Sequence, residues 1–190
     1  MNFKDNENDN IENSRNMKKF FLSALVFTFI AVSVSAQSEG SKFPEIKFKT
    51  IDGESLTTKD LKGKVVFYNF YFAFCQPCLA EKEGLKELYE TFASDDVLFV
   101  AITFDNNEII RQFQTTHGMR FKTISIGMNE IARHFGVRQF PVNFLVGIDG
   151  TIVKKKMGTI SIDTANQEIL AEFSPVIESE LQKLKSKIKK

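Results

Sequence analysis

The chain has 190 residues, a formal net charge of +1 at pH 7, twenty phenylalanines, no tryptophan and two cysteines. So balanced a charge leaves no electrostatic footprint for nucleic acid or for a broadly anionic partner. The aromatic usage describes a phenylalanine-packed core, in a chain long enough for one domain.

Met1 to Asn16 is polar and asparagine-rich, without an apolar period. From Met17 the chain reads Lys18–Lys19, then the apolar stretch Phe20 to Val34, then Val34–Ser35–Ala36. A basic start, a short apolar core and a small-residue cleavage site make a secretory signal peptide. Residues 1–36 are therefore expected to be a leader, with the signal over 17–36 and residues 1–16 upstream of the true start. Residues 37–190 form the expected domain, placed in the periplasm or otherwise outside the cytoplasm after cleavage. The alternative is a membrane anchor over residues 20–34, although that stretch is short for a bilayer.

Phe43–Pro44, with Ile46 and Phe48, reads as a short strand; Asp52–Gly53 is a turn signal and Leu56 begins a return segment. Lys62–Gly63–Lys64 leads into Val65 to Phe74, an almost unbroken apolar and aromatic run expected of a strand buried on both faces. It stops at Cys75–Gln76–Pro77–Cys78, after which Leu85, Leu88, Tyr89 and Phe92 recur at helical spacing. Val97 to Phe104 reads as a second buried strand, parallel to the first if the intervening helix is a crossover. Asn107–Glu108 opens a helix whose apolar face is Ile109, Ile110 and Phe113 and which ends near His117–Gly118. Phe121 to Ile126 is a short strand, and Glu130 to Phe135 a short helix closed by Gly136. Val142 to Val146 is a strand, Asp149–Gly150 a turn, and Thr151 to Val153 the returning arm of a hairpin. Ser174–Pro175 reads as the cap and first residue of a closing helix with Ile177, Leu181, Leu184 and Ile188 on one face.

The Cys-x-x-Cys sits where a central strand gives way to a helix. There the first cysteine lies against free N–H groups and the positive dipole end, which stabilise a thiolate. The second falls about one turn inside, within disulfide reach. A bridge closing so short a loop removes little unfolded-state entropy, so redox work explains the pair better than a structural staple.

Strands alternating with helices, a terminal hairpin and this motif resemble the TlpA/ResA-like branch of extracytoplasmic thiol–disulfide oxidoreductases, over about Phe43 to Gly158. The resemblance rests on Gly63–Lys64–Val65–Val66, Cys75–Gln76–Pro77–Cys78, the extra helical segment around Glu108 to Thr116, Gly136 to Pro141, and Asp149 to Val153. It implies an α/β thioredoxin-like fold: a central mixed sheet flanked by helices, with an N-terminal β-hairpin extension and a helical insertion. It also implies a cis bond before Pro141, with Phe140 beside the sulfurs, and a substrate surface of Phe74, Gln76, Pro77, Phe140 and Pro141. Phe74 stands where the family usually has tryptophan, so aromatic cover is kept and an indole N–H lost. Asn69 stands where thioredoxins bury an aspartate. Glu81 matches the family's active-site glutamate; from the residues alone, a place beneath the disulfide and a solvated helix face both stay open.

The expected reaction is thiol–disulfide exchange on protein disulfides, with Cys75 as nucleophile, Cys78 as resolving thiol and Glu81 as proton carrier. The direction leans toward reduction, because Gln76–Pro77 brings no charge to favour a very acidic thiol. No metal or organic cofactor is implied beyond the Cys75–Cys78 disulfide, and the resemblance implies a membrane thiol donor of electrons; apocytochrome c is one conceivable client. Two rivals share the fold. A Sco-like copper protein would need a histidine beside the two thiolates, and neither His117 nor His134 has an obvious placement. A peroxiredoxin would want a threonine where Phe72 stands. Asp105, after the second strand, reads as facing the site or as capping a helix.

Overall fold

The structure, a computed structural model, describes residues 37–188; the leader, signal and anchor readings fall outside the described residues. Among those described, no helix is long and apolar enough to cross a membrane. An N-terminal hairpin, β1 (Lys47–Lys49) and β2 (Ser55–Thr57), is followed by β3 (Val65–Phe70), α1 (Gln76–Ala80), α2 (Lys82–Phe92) and β4 (Val97–Thr103). Then come α3 (Asn107–His117), β5 (Lys122–Ser125), α4 (Met128–Phe135), β6 (Val142–Val146), β7 (Ile152–Met157) and α5 (Ala165–Ile188). The five-stranded sheet has the order β5-β4-β3-β6-β7, with β3, β4 and β5 parallel, β6 antiparallel to β3, and β7 antiparallel to β6. This is the expected mixed sheet with an N-terminal hairpin and an inserted helix, α3.

Every residue of β3 is buried, so its alternation divides two apolar layers. Val65 and Phe67 pack with Leu85 and Leu88 of α2 and Ile169, Phe173 and Ile177 of α5. Val66, Tyr68 and Phe70 pack on the other face with Phe43, Phe48 and, from α4, Ile131 and Phe135. By that alternation Asn69 falls on the α2/α5 side, and the register sets Asn143 of β6 beside it and Lys156 of β7 beside Asn143. A polar row thus crosses an otherwise apolar sheet face.

Among the boundaries that differ from the sequence reading, two bear on the site. The central strand ends at Phe70, not at Phe74. Tyr71 still donates its N–H to Ile102, but the Ala73 N–H turns to the Asp105 carboxylate and the Cys75 N–H to the Phe72 carbonyl. Side-chain and turn partners replace the ladder there. The closing helix starts at Ala165, well before Ser174, and holds Pro175 inside it. Thr164 and Glu168 tie its first turn, and Ala165, Ile169, Phe173 and Ile177 bury one continuous stripe. That stripe outweighs the hydrogen bond Pro175 cannot make. Ile188, expected on the buried face, is exposed.

Candidate active site

Beyond the end of β3 the chain makes a turn rather than entering a helix at once. Asp105 fixes that turn: its Oδ2 accepts from the Ala73 N–H (2.8 Å) and the Thr103 hydroxyl (2.8 Å). Asp105 is therefore neither a helix cap nor a free site carboxylate; Asn106 caps α3, accepting from the Ile109 N–H. Cys75 then caps α1, with Pro77 in the first turn. Cys75 and Cys78 are joined (S–S 2.04 Å, Cα–Cα 5.2 Å). Exposure does not separate the sulfurs, for both cysteines are 4% exposed. A hydrogen bond does: the Cys78 N–H donates to Cys75 Sγ at 3.2 Å. That contact favours negative charge on Cys75 when the bridge is reduced.

The helix breaks at Glu81, between α1 and α2, without a proline. Its N–H closes a tight turn onto the Cys78 carbonyl at 3.3 Å, while the Leu85 N–H bonds the Glu81 carbonyl at 2.9 Å. The restart leaves N–H groups at the head of α2 without helical partners. Asn166 of α5 takes one of them, its Oδ1 accepting from the Gly84 N–H at 2.8 Å. A Cβ on Gly84 would stand 2.6 Å from the Asn166 carbonyl oxygen, so only glycine allows this approach.

Glu81 is fully buried. Its Oε2 accepts from Asn143 Nδ2 at 2.9 Å, and Asn143 Oδ1 accepts from Asn69 Nδ2 at 2.8 Å. Oε1 has no partner among the described residues. Burial pushes the carboxyl up to about 7, against the Asn143 hydrogen bond and the charge of Lys156; Glu168 and Glu172 add to the rise. Lys156 is itself nearly buried and pairs with Glu168 at 2.9 Å. Three residues from Cys78 on a helical segment, Glu81 has its Cβ within about 5–6 Å of that of the cysteine.

The remaining expected residues differ in exposure. The Phe140–Pro141 bond is cis, Pro141 is buried and Phe140 half-buried. Phe140 closes a triangle of rings with Phe72 (5.7 Å) and Phe104 (5.6 Å). Gln76 is exposed and Pro77 half-buried. Phe74 is 75% exposed, so most of its ring faces water. It borders a groove of about 230 Å³ with Ile109, Phe113 and His117. His117 Nδ1 lies 3.4 Å from the Lys82 ammonium, and burial followed by that charge lowers its titration. His134 is exposed on α4, across the sheet. Among the described residues no group of three or more His, Cys, Asp or Glu side chains is arranged to hold a metal.

Phe72, Phe104, Asn143 and Lys156 were not among the expected site residues. A signal for two of them existed: Phe104 directly follows the C-terminal end of β4 and Phe72 lies two residues past that of β3, the ends of parallel strands where α/β sites gather. For Asn143 there was none, because its place opposite Asn69 is set by the register of the sheet.

The Redoxin family profile matches residues 38–169. The thiol–disulfide oxidoreductase ResA of Bacillus thuringiensis (strain Al Hakam) is 31% identical over 120 residues, 63% of this chain and 69% of the relative. ResA of Bacillus subtilis (strain 168) is 28% identical over 141 residues, 74% and 79% of the two chains. A thiol:disulfide interchange protein of the thioredoxin family from Chlorobium tepidum TLS superposes with a TM-score of 0.61 at 22% identity, covering 77% of this chain and 99% of that one; it speaks for the fold. With a Cys-x-x-Cys disulfide at the head of the helix after a central parallel strand, the chain belongs to the Redoxin family and is a ResA-like thiol–disulfide oxidoreductase.

Proposed function

We propose that the protein reduces disulfides of proteins outside the cytoplasm, and the observation that carries the assignment of roles is the Cys78 N–H on Cys75 Sγ. In the reduced protein the Cys75 thiolate attacks one sulfur of a substrate disulfide. That S–S bond breaks, a mixed disulfide forms, and the other substrate sulfur leaves as a thiolate. Cys78 gives its proton to Glu81 and attacks Cys75 Sγ; the mixed disulfide breaks, the Cys75–Cys78 bridge forms, and the substrate leaves with two electrons gained. A buried carboxyl titrating near neutrality suits that proton. Glu81 is thus the proton carrier. Phe74, Gln76, Pro77, Phe140 and Pro141 form the substrate surface, and the Phe72–Phe104–Phe140 rings extend it. No cofactor beyond the disulfide is part of this reading. Residues 37–190 act as the domain, released by cleavage of the 17–36 signal, and a membrane thiol protein returns the electrons. Apocytochrome c, by the family resemblance, is the first client to try.

Three measurements test it. Reduced protein should reduce insulin, and iodoacetamide should label Cys75 before Cys78 near pH 7. Cys78→Ser should accumulate mixed disulfides in cells where Cys75→Ser does not. Equal alkylation of the two thiols, or equal trapping by the two variants, would overturn the division of roles.

A further inference from the structure

The polar row on the sheet face carries an inference that rests on Glu81 as proton carrier and goes beyond it. Asn143 is fully buried between two partners. Asn69, beside it in register on β3, gives its Nδ2 hydrogen to Asn143 Oδ1. With its oxygen so occupied, the Asn143 amide is left with a donor to offer, and that donor meets Glu81 Oε2. The opposite orientation of the amide would set an oxygen against a carboxylate and two NH2 groups against each other. Asn69 therefore orients Asn143, and Asn143 holds one oxygen of Glu81. The second oxygen, Oε1, is buried and has no hydrogen-bond partner among the described residues. A bare lone pair away from water is where a proton is gained or lost with least rearrangement of the site.

We propose that Asn143 is the positioning residue of this site: it pins Glu81 through Oε2, so that the proton exchanged with Cys78 is carried on Oε1.

The contact has a sign as well as a geometry. A donor-only hydrogen bond favours the ionised carboxylate and opposes the effect of burial. The other charged groups felt by Glu81 are Lys156 from β7, which also favours ionisation, and Glu168 and Glu172 from α5, which oppose it; Cys75 and Cys78 join them when reduced. None of these is altered by a substitution at Asn143. Losing the donor should move the Glu81 titration up by about 1–2 pH units.

Glu81 can be read directly by carboxyl ¹³C NMR of the oxidised protein, its signal assigned by its loss in Glu81→Gln. Asn143→Val removes both donor and acceptor. Asn143→Asp keeps the shape and the acceptor for Asn69 but sets a second carboxylate against Glu81, so that the pair shares a proton. Both variants should raise the Glu81 midpoint, and the pH profile of Cys75 alkylation in reduced protein should follow. An unmoved midpoint in Asn143→Asp, with the circular dichroism spectrum unchanged, overturns the proposal even if Asn143→Val fails to fold. Failure of the underlying reading looks different. In that case the midpoint still moves in the Asn143 variants, but Glu81→Gln leaves turnover and the alkylation profile where they were.

Discussion

Glu81 is expensive where it stands, and its cost can be given a sign. Its carboxyl is held up to about 7, against an ordinary value of 4.5, first by burial. Below pH 4.5 it is protonated in both the folded and the unfolded chain, and burial of the neutral acid stabilises the fold in full relative to the ionised form. Between 4.5 and about 7 the unfolded chain ionises first, and that stability is lost as pH rises through the folded value. The full loss is about 3 kcal/mol, from the size of the shift. Glu81→Gln has no proton to lose, so the variant should gain on the unaltered protein as pH rises. Urea unfolding of the oxidised proteins at pH 5 and pH 8 should show the gap widening by about 2–3 kcal/mol. Parallel curves would place the carboxyl in contact with water. Glu83→Gln serves as the control, since Glu83 is a largely exposed side chain paired with Lys86. A group kept at such a cost three residues after Cys78, held by a pair of amides, fits proton handling better than stability.

At the level of elements, the breaks in pattern divide by what caused them. The apolar run through Phe74 gave no sign that the strand stops at Phe70, because Asp105, thirty-odd positions along the chain, makes the turn by taking the Ala73 N–H. Local pattern cannot show a partner so far away. The start of α5 was missed for the opposite reason: Ser174–Pro175 is a good local start signal, overridden by the buried stripe Ala165, Ile169, Phe173, Ile177. The break at Glu81 was invisible too, since neither glycine nor proline marks it and Asn166 completes it from another helix. Pro175 offers a test of this override. It is exposed, inside α5, and makes no N–H bond to the preceding turn. Pro175→Ala should therefore raise stability by up to about 3 kcal/mol, seen as a higher thermal midpoint with unchanged insulin reduction. A fall in the midpoint would show that the proline is needed to shape the helix over the sheet.

Across the whole molecule, the fold was legible because strand and helix periods alternate and the turn chemistry agrees with them: β3, β4, α3, α4 and the β6–β7 hairpin lie near where the residues placed them. The Cys75–Cys78 pair was legible from motif and spacing, and the cis bond before Pro141 from the family resemblance. The polar row was not, for the register that aligns Asn69, Asn143 and Lys156 is a property of the sheet rather than of any one stretch. The same alternation that built the row also separates it from the other core. Phe43 belongs to the far face, its ring 4.2 Å from that of Tyr68 and 5.5 Å from that of Phe135. Phe173 belongs to the near face, with its ring 4.9 Å from that of Phe67, on the helix that supplies Glu168 and Asn166. Each is almost wholly buried, so Phe43→Ala and Phe173→Ala should each cost about 3–5 kcal/mol in urea unfolding. They should differ in chemistry. Loosening α5 relaxes the Asn166 clamp on α2 and the Glu168 partner of Lys156, and so should shift the pH profile of Cys75 alkylation. Phe43→Ala leaves the near face packed and should keep the profile of the unaltered protein. If both variants shift it equally, the sheet does not insulate the site from its far core, and the two-layer division is only a matter of packing.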